Sequence, residues 1–129
     1  MAQHQAKTIE AAIAGILDGT VAGETPCCMI EAVNAEGEDV SVQVLADSIN
    51  ISPYDYGDEP LPRLKASGAL DELSMELTLV DWEADTFATI GIEGNETADV
   101  ALLVDRIFTR LLGCDDADYT PIASIEDLG

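Results

Sequence analysis

Apolar and polar residues alternate along the chain with two different periods, and these periods predict its helices and strands. Apolar residues recur with the helical period in residues 8–18, which Gly19 follows. A broader apolar stripe with the same period runs through residues 97–112. Both segments are predicted to be amphipathic helices, and a shorter helix is predicted at residues 63–73.

Strict alternation of apolar and polar residues predicts two β-hairpins. In the first, Cys28, Ile30 and Ala32 are expected to share one face. The second is the clearest β-structure in the sequence. The predicted strands are residues 27–33 and 40–44 for the first hairpin, 75–79 and 86–93 for the second, and 49–51 for a brief additional strand.

The order of these elements predicts an α+β fold in a single domain, residues 1–129. The antiparallel sheet of two hairpins, with 4–5 strands, is expected to pack with the N-terminal and C-terminal helices on one face. Its other face is then either wet or buried by a partner. Residues 114–129 form an acidic tail, in which apolar residues at every third position favour docking on the body over a free tail: Tyr119, Ile122, Ile125 and Leu128.

The charge balance excludes several classes of function. The 129 residues carry 26 acidic and 5 basic side chains, a net charge of −21. So few cations cannot neutralise a phosphate backbone, which excludes a general nucleic-acid-binding protein, and they disfavour an anionic membrane surface. The charge favours a cationic protein partner, although a salty habitat would produce the same composition without any such meaning.

Few side chains are suited to catalysis or metal binding. His4 is the single histidine, and the cysteines are Cys27, Cys28 and Cys114. This set offers no transition-metal site, and a nucleophile has no base beside it. An odd number of irregularly spaced cysteines is not a disulfide framework, and the polar N-terminus is not a secretory signal, so a cytoplasmic location is expected. The sequence therefore predicts a protein that is not an enzyme, with no catalytic residue, cofactor or metal.

The candidate partner-binding residues are aromatic and acidic side chains in predicted loops. Residues 48–62 are rich in proline, and residues 81–85 are predicted to be a polar turn with Trp82 at the hairpin tip. A tip tryptophan either packs on the sheet or serves as an exposed binding anchor. The candidates are Tyr54, Asp55, Tyr56, Asp58, Glu59, Trp82, Phe87, Asp115, Asp116 and Asp118.

Residues 8–112 resemble the class I type III secretion chaperones and the related YbjN-like peptide-binding domains. The helix at 8–18, the segment PLPRLKASGAL at 60–70 and the closing unit 75–112 carry the resemblance. It implies a homodimer without a cofactor, which binds an extended partner segment along exposed strands and apolar grooves. The acidic tail after Cys114 and the scarcity of Lys and Arg depart from the family's pattern.

Two hypotheses for the function follow. The first is an acidic, chaperone- or adaptor-like module that holds a basic or extended segment of a partner protein. The alternative is an acidic inhibitor, of the anti-defence or antitoxin type, that mimics nucleic acid and blocks a basic surface of a nucleic-acid-processing enzyme. The carboxylates expected to act in that mimic are Asp55, Asp58, Glu59, Asp115, Asp116 and Asp118.

Overall fold

A computed structural model describes residues 2–54, 57–114 and 119–127 of the chain. Within these ranges, three α-helices and six strands are present. Their order is α1 (Ala2–Leu17), β1 (Pro26–Val33), β2 (Asp39–Val44), β3 (Ser48–Tyr54), α2 (Pro60–Ser67), β4 (Thr78–Glu83), β5 (Thr86–Gly91), α3 (Thr97–Arg106) and β6 (Ile122–Asp127). A π-helical segment, Ile107–Leu111, continues α3.

The six strands form one sheet in the order β4-β5-β3-β2-β1-β6. Every neighbouring pair is antiparallel. The predicted α+β fold with an antiparallel sheet is confirmed. The sheet has six strands rather than 4–5, because part of the C-terminal segment pairs with β1 as β6.

One face of the sheet lies against the helices and forms the core. Cys28 and Ile30 of β1 lie opposite Val44 and Val42 of β2, and all four are completely buried. The helices α1 and α3 pack against each other, and α1 also contacts β1. Each Ile or Leu that is removed from water here stabilises the fold by about 1.5–3 kcal/mol. The largest completely buried side chains include Ile9, Ile13, Ile16, Ile49, Ile51, Leu64, Ile90, Leu103 and Phe108.

Proline placement explains why α2 differs from its prediction. The helix spans Pro60–Ser67, not residues 63–73, and Pro60 is buried in its first turn. A proline is tolerated at that position because its missing N–H would have no partner inside the helix. The helix ends at Gly68, whose φ of 83° is left-handed.

The second hairpin also differs from its prediction, because β4 begins at Thr78 and continues through Glu83. Only Ala84 and Asp85 form the turn. Residues 81–85 look like a polar loop, yet residues 81–83 alternate as a strand. Asp81 and Glu83 lie on the sheet face opposite the helices, and Trp82 lies on the helix side opposite the buried Ala88. The prediction that all of 81–85 is a turn is therefore wrong.

The two long helices also have boundaries that periodicity does not predict. Helix α1 begins at Ala2 rather than at residue 8. Helix α3 gives way to the π-helical segment after Arg106, where the Leu112 N–H donates to the Ile107 carbonyl oxygen at 2.9 Å. Among the described residues, no helix is long and apolar enough to cross a membrane.

A candidate protein-binding cleft beside an edge strand

Strand β6 is an edge strand whose residues are all exposed. Ile122 lies opposite Glu31 of β1, and Glu126 lies opposite Cys27. Ile122 and Ile125 are 65% and 51% exposed. An edge strand directs a row of backbone N–H and C=O groups outward, where another chain can pair with it. Within the described part of the chain, no strand pairs with this outer edge.

A cleft of about 450 Å³ opens beside the start of β6. Val33, at the end of β1, is 55% exposed and contributes apolar surface to the cleft together with Ile122. Glu31 and Asp39 place carboxylates in the same lining. This arrangement, which we call the edge cleft, combines apolar surface with negative charge. Its lining is Glu31, Ala32, Val33, Asp39, Tyr119, Thr120 and Ile122.

Buried hydrogen bonds hold the chain just before β6. The Tyr119 hydroxyl donates to the carboxylate of Asp105, which is only 1% exposed on α3. Gln5 of α1 donates its side-chain N–H to the Tyr119 carbonyl oxygen at 3.1 Å. The Tyr119 ring also packs on Phe108, with ring centroids 5.5 Å apart. Tyr119 therefore links one end of the edge cleft to both long helices.

A second contact holds the other end of β6. The Thr25 backbone N–H donates to the Asp127 carboxylate at 2.9 Å. Between this contact and Tyr119, the strand is kept in place by its pairing with β1 and contributes no buried side chain of its own. The position of β6 thus depends on backbone pairing and on these two anchors.

The sheet face opposite the helices, which we call the open face, is uncharged at its centre. Ser41 donates its hydroxyl to the Ser52 carbonyl oxygen at 3.3 Å, and Thr89 donates to the Asn50 amide oxygen at 2.9 Å. Gln43 lies among them, opposite Asn50. Carboxylates lie towards the two edges of this face, at Glu31, Asp39, Asp81, Glu83 and Glu126.

No strand of the sheet contains a basic residue. The chain's Lys and Arg side chains are at positions 7, 63, 65, 106 and 110, in the helices and the π-helical segment. Arg106 and Arg110 donate to backbone carbonyl oxygens just after α2, and Arg63 pairs with Asp58 at 2.9 Å. Because α2 packs against β4, these cations lie towards the sheet edge opposite β6. Lys7 is the exception, because it lies on α1, which contacts β6. Within β1 and β6 themselves the charged residues are Glu31, Glu126 and Asp127.

The structure does not gather the sequence-predicted candidates into one site. Tyr54 is completely buried and donates its hydroxyl to the Asp58 carbonyl oxygen at 2.6 Å, so it belongs to the core. Trp82 is partly buried against it, edge-to-face at 6.1 Å. Phe87 is partly buried on the open face, and Glu59 is exposed. The remaining candidates lie outside the described residues: Asp55, Tyr56, Asp115, Asp116 and Asp118.

Most of the edge cleft is not predicted by the sequence. The sequence predicts the inward faces of the strands that contain Val33, Glu31 and Asp39 and expects their outer face to be exposed to solvent or buried by a partner, but these three residues are not among the candidates. For Ile122, the sequence predicts only that its spacing with other apolar residues of the tail favours docking on the body. One feature of the sequence does point to the edge cleft. In β1, Val33 is two positions after Glu31 and therefore lies on the same exposed face, where an apolar side chain is unexpected.

The described residues include no cluster of three or more His, Cys, Asp or Glu side chains that could hold a metal ion. The cysteines are free and buried. Burial raises the pKa of the Cys28 thiol to about 11, and the neighbouring Cys27 adds to this effect. Burial likewise raises the pKa of Cys114 to about 11, with a further contribution from Asp105. A protonated thiol is a poor nucleophile, so neither side chain is an activated cysteine at neutral pH.

These raised thiol pKa values predict how stability depends on pH. The folded chain holds the Cys28 and Cys114 protons more tightly than the unfolded chain, in which the ordinary pKa is 9.0. The resulting stabilisation is complete below about pH 9 and is expected to disappear as the pH rises to about 11. Denaturant unfolding across this range measures it. The double variant Cys28→Ala and Cys114→Ala should show a smaller decline, and an equal decline would contradict the prediction.

No protein-family model matches the sequence, and no curated protein sequence or solved structure is significantly similar to the chain.

Proposed function

We propose that the chain is a non-enzymatic, chaperone- or adaptor-like module that holds an extended segment of a partner protein in the edge cleft and along β6. The observation that carries this proposal is the pair of exposed apolar residues, Val33 and Ile122, in a cleft beside a strand edge with which no other described strand pairs. Exposed apolar surface in a concave site is typical of a protein-interaction surface.

The charge of the sheet supports a basic partner segment. With no Lys or Arg in any strand, the edge cleft has only carboxylates to offer a charged ligand, and complementary charge accelerates association. The order of elements from α1 to α3 is also compatible with the resemblance to secretion chaperones. We further infer a cytoplasmic setting, which the three free thiols support.

Homodimer formation, which the resemblance implies, stays a separate proposal. The apolar stripe of α3 does not serve it, because Val100, Leu103 and Val104 are buried in the chain's own core. A dimer would also bring together two chains of net charge −21, whose mutual repulsion opposes association at low salt.

A peptide-binding experiment tests the proposed function. The probe is an immobilised library of short peptides that combine basic with apolar residues. Ile122→Ser is expected to weaken binding about tenfold or more, because it removes an apolar contact worth about 1.5–3 kcal/mol. Val80→Ser is the matched control, because Val80 is also an exposed apolar residue, 59% exposed, but lies near the opposite sheet edge. This variant should bind the peptides as tightly as the parent chain does.

Two outcomes would contradict the proposal: no peptide in the library binds, or Ile122→Ser binds as well as Val80→Ser. Salt provides a second readout. Raising the ionic strength from about 0.1 M to about 1 M shortens the screening length from about 10 Å to about 3 Å. Peptide binding that depends both on the apolar surface of the edge cleft and on its carboxylates, Glu31 and Asp39, should be weaker at the higher ionic strength and should still be measurable there.

The nucleic-acid mimic is the second candidate function, and one observation favours it. The open face carries carboxylates towards both edges and no basic residue. Such an inhibitor would bind a basic enzyme surface through many exposed ion pairs. Its affinity would therefore fall steeply with salt and would respond little to Ile122→Ser.

A further inference from the structure

The exposed edge of β6 offers a defined series of side chains to an added strand. Ile122, Ser124 and Glu126 lie opposite Glu31, Met29 and Cys27, so they belong to the open face. Ala123 and Ile125 alternate with them and belong to the helix side. An apolar residue next to the edge cleft is thus followed, four positions along the same face, by a carboxylate.

The orientation of an added strand follows from hydrogen-bond geometry. Antiparallel pairing is more stable per residue than parallel pairing, and every existing pair in this sheet is antiparallel. An antiparallel segment runs against β6, so it meets Glu126 first and reaches Ile122 and the edge cleft last.

We propose, building on the proposed function, that the partner segment adds antiparallel to β6 and is selected by a basic side chain opposite Glu126 and an apolar side chain opposite Ile122. The selected pattern, from N- to C-terminus, is a basic residue followed four positions later by an apolar residue. A further apolar residue directly after the basic one contacts Ile125 on the helix side. Main-chain hydrogen bonds supply affinity in this mode, and alternate side chains supply the selection.

Charge decides between this occupant and a second copy of the chain. A second β6 would bring another Glu126 and Asp127 to the edge, together with a whole-chain charge of −21. Carboxylates gathered along one edge repel one another, and this repulsion opposes the pairing of two copies. A basic segment removes this repulsion and pairs with the Glu126 carboxylate.

Two synthetic peptides of identical composition test the proposal with the full chain. One carries Arg, then Val, and Leu four positions after the Arg, with Thr and Ser elsewhere; the other has the same residues in reverse order. The forward peptide is expected to bind about tenfold more tightly, because only its antiparallel addition places both Arg and Leu correctly. Equal affinity for the forward and the reversed peptide would overturn the proposed antiparallel orientation and would leave the proposed function standing. Binding of neither peptide, alongside library peptides that do bind, would overturn the pattern alone.

A charge exchange tests the register. Glu126→Lys is expected to weaken binding of the forward peptide about two- to fivefold or more, and replacing the peptide Arg by Glu should restore binding to this variant. Glu83→Lys, on the opposite edge strand, is the control. It should leave unchanged the affinities for the forward peptide and for the peptide in which Glu replaces Arg. If Glu126→Lys and Glu83→Lys change peptide binding equally, the net charge of the molecule determines binding, and the proposed register that places the peptide Arg opposite Glu126 is wrong. A molecular mass of two chains that persists with peptide present would instead identify a second copy as the occupant.

Discussion

Replacing Phe108 by alanine is expected to lower the free energy of unfolding by about 3–5 kcal/mol. Phe108 is completely buried in the π-helical segment, and its ring packs on Tyr119. Its removal leaves a cavity where α3 meets the residue that leads into β6. Because small domains are stable by only about 5–15 kcal/mol, this loss is a large share of the total. Denaturant unfolding monitored by circular dichroism measures it.

Phe87→Ala provides the comparison for this variant. Phe87 lies on the open face and is only partly buried, so the same truncation removes less surface from the interior. The loss should be clearly smaller than for Phe108→Ala. Equal losses for the two variants would show that the burial of Phe108 does not contribute to stability as the structure indicates.

The second large effect is expected from Tyr119→Phe, which removes one hydroxyl and keeps the ring. The hydroxyl donates to Asp105, whose carboxylate is buried. Loss of a hydrogen bond to a buried charged group costs about 1.5–3 kcal/mol. Since Tyr119 anchors the chain before β6, the variant should also exchange the amide hydrogens of β6 faster. Hydrogen exchange and denaturant unfolding report the two effects separately.

Tyr54→Phe is a matched control, because Tyr54 is also buried and also donates its hydroxyl. Its acceptor is the neutral Asp58 carbonyl oxygen. A neutral hydrogen bond contributes about 0.5–1.5 kcal/mol, and Tyr54 lies far along the sheet from β6. A Tyr119→Phe variant as stable as Tyr54→Phe, with unchanged exchange in β6, would contradict the proposed anchoring.

Periodicity predicted the helices and strands that have one buried and one exposed face. Val40, Val42 and Val44 alternate with polar residues because the sheet has a helix-covered face and an open face, and the prediction of their strand is confirmed. Ile9, Ile13 and Ile16 recur at the helical spacing for the same reason, and all three are buried.

Strand β6 and the edge cleft were beyond prediction because no burial pattern marks them. Ile122 and Ile125 are three positions apart, so within a strand they lie on opposite faces, and both are exposed. The strand forms through backbone pairing with β1, which leaves no trace in hydrophobicity. The cleft brings Val33 together with Tyr119 and Ile122, residues that are distant in sequence, and local patterns carry no information on such a contact.

The pairing of β1 with β6 has a consequence for synthesis of the chain. On the ribosome, β1 emerges early and finds β2 and β3 soon afterwards, whereas β6 is translated much later. Throughout elongation the nascent sheet therefore presents a bare β1 edge, and contacts so distant in sequence form slowly. Chaperones at the ribosome exit would meet β1 at this edge before the chain's own strand arrives to cover it.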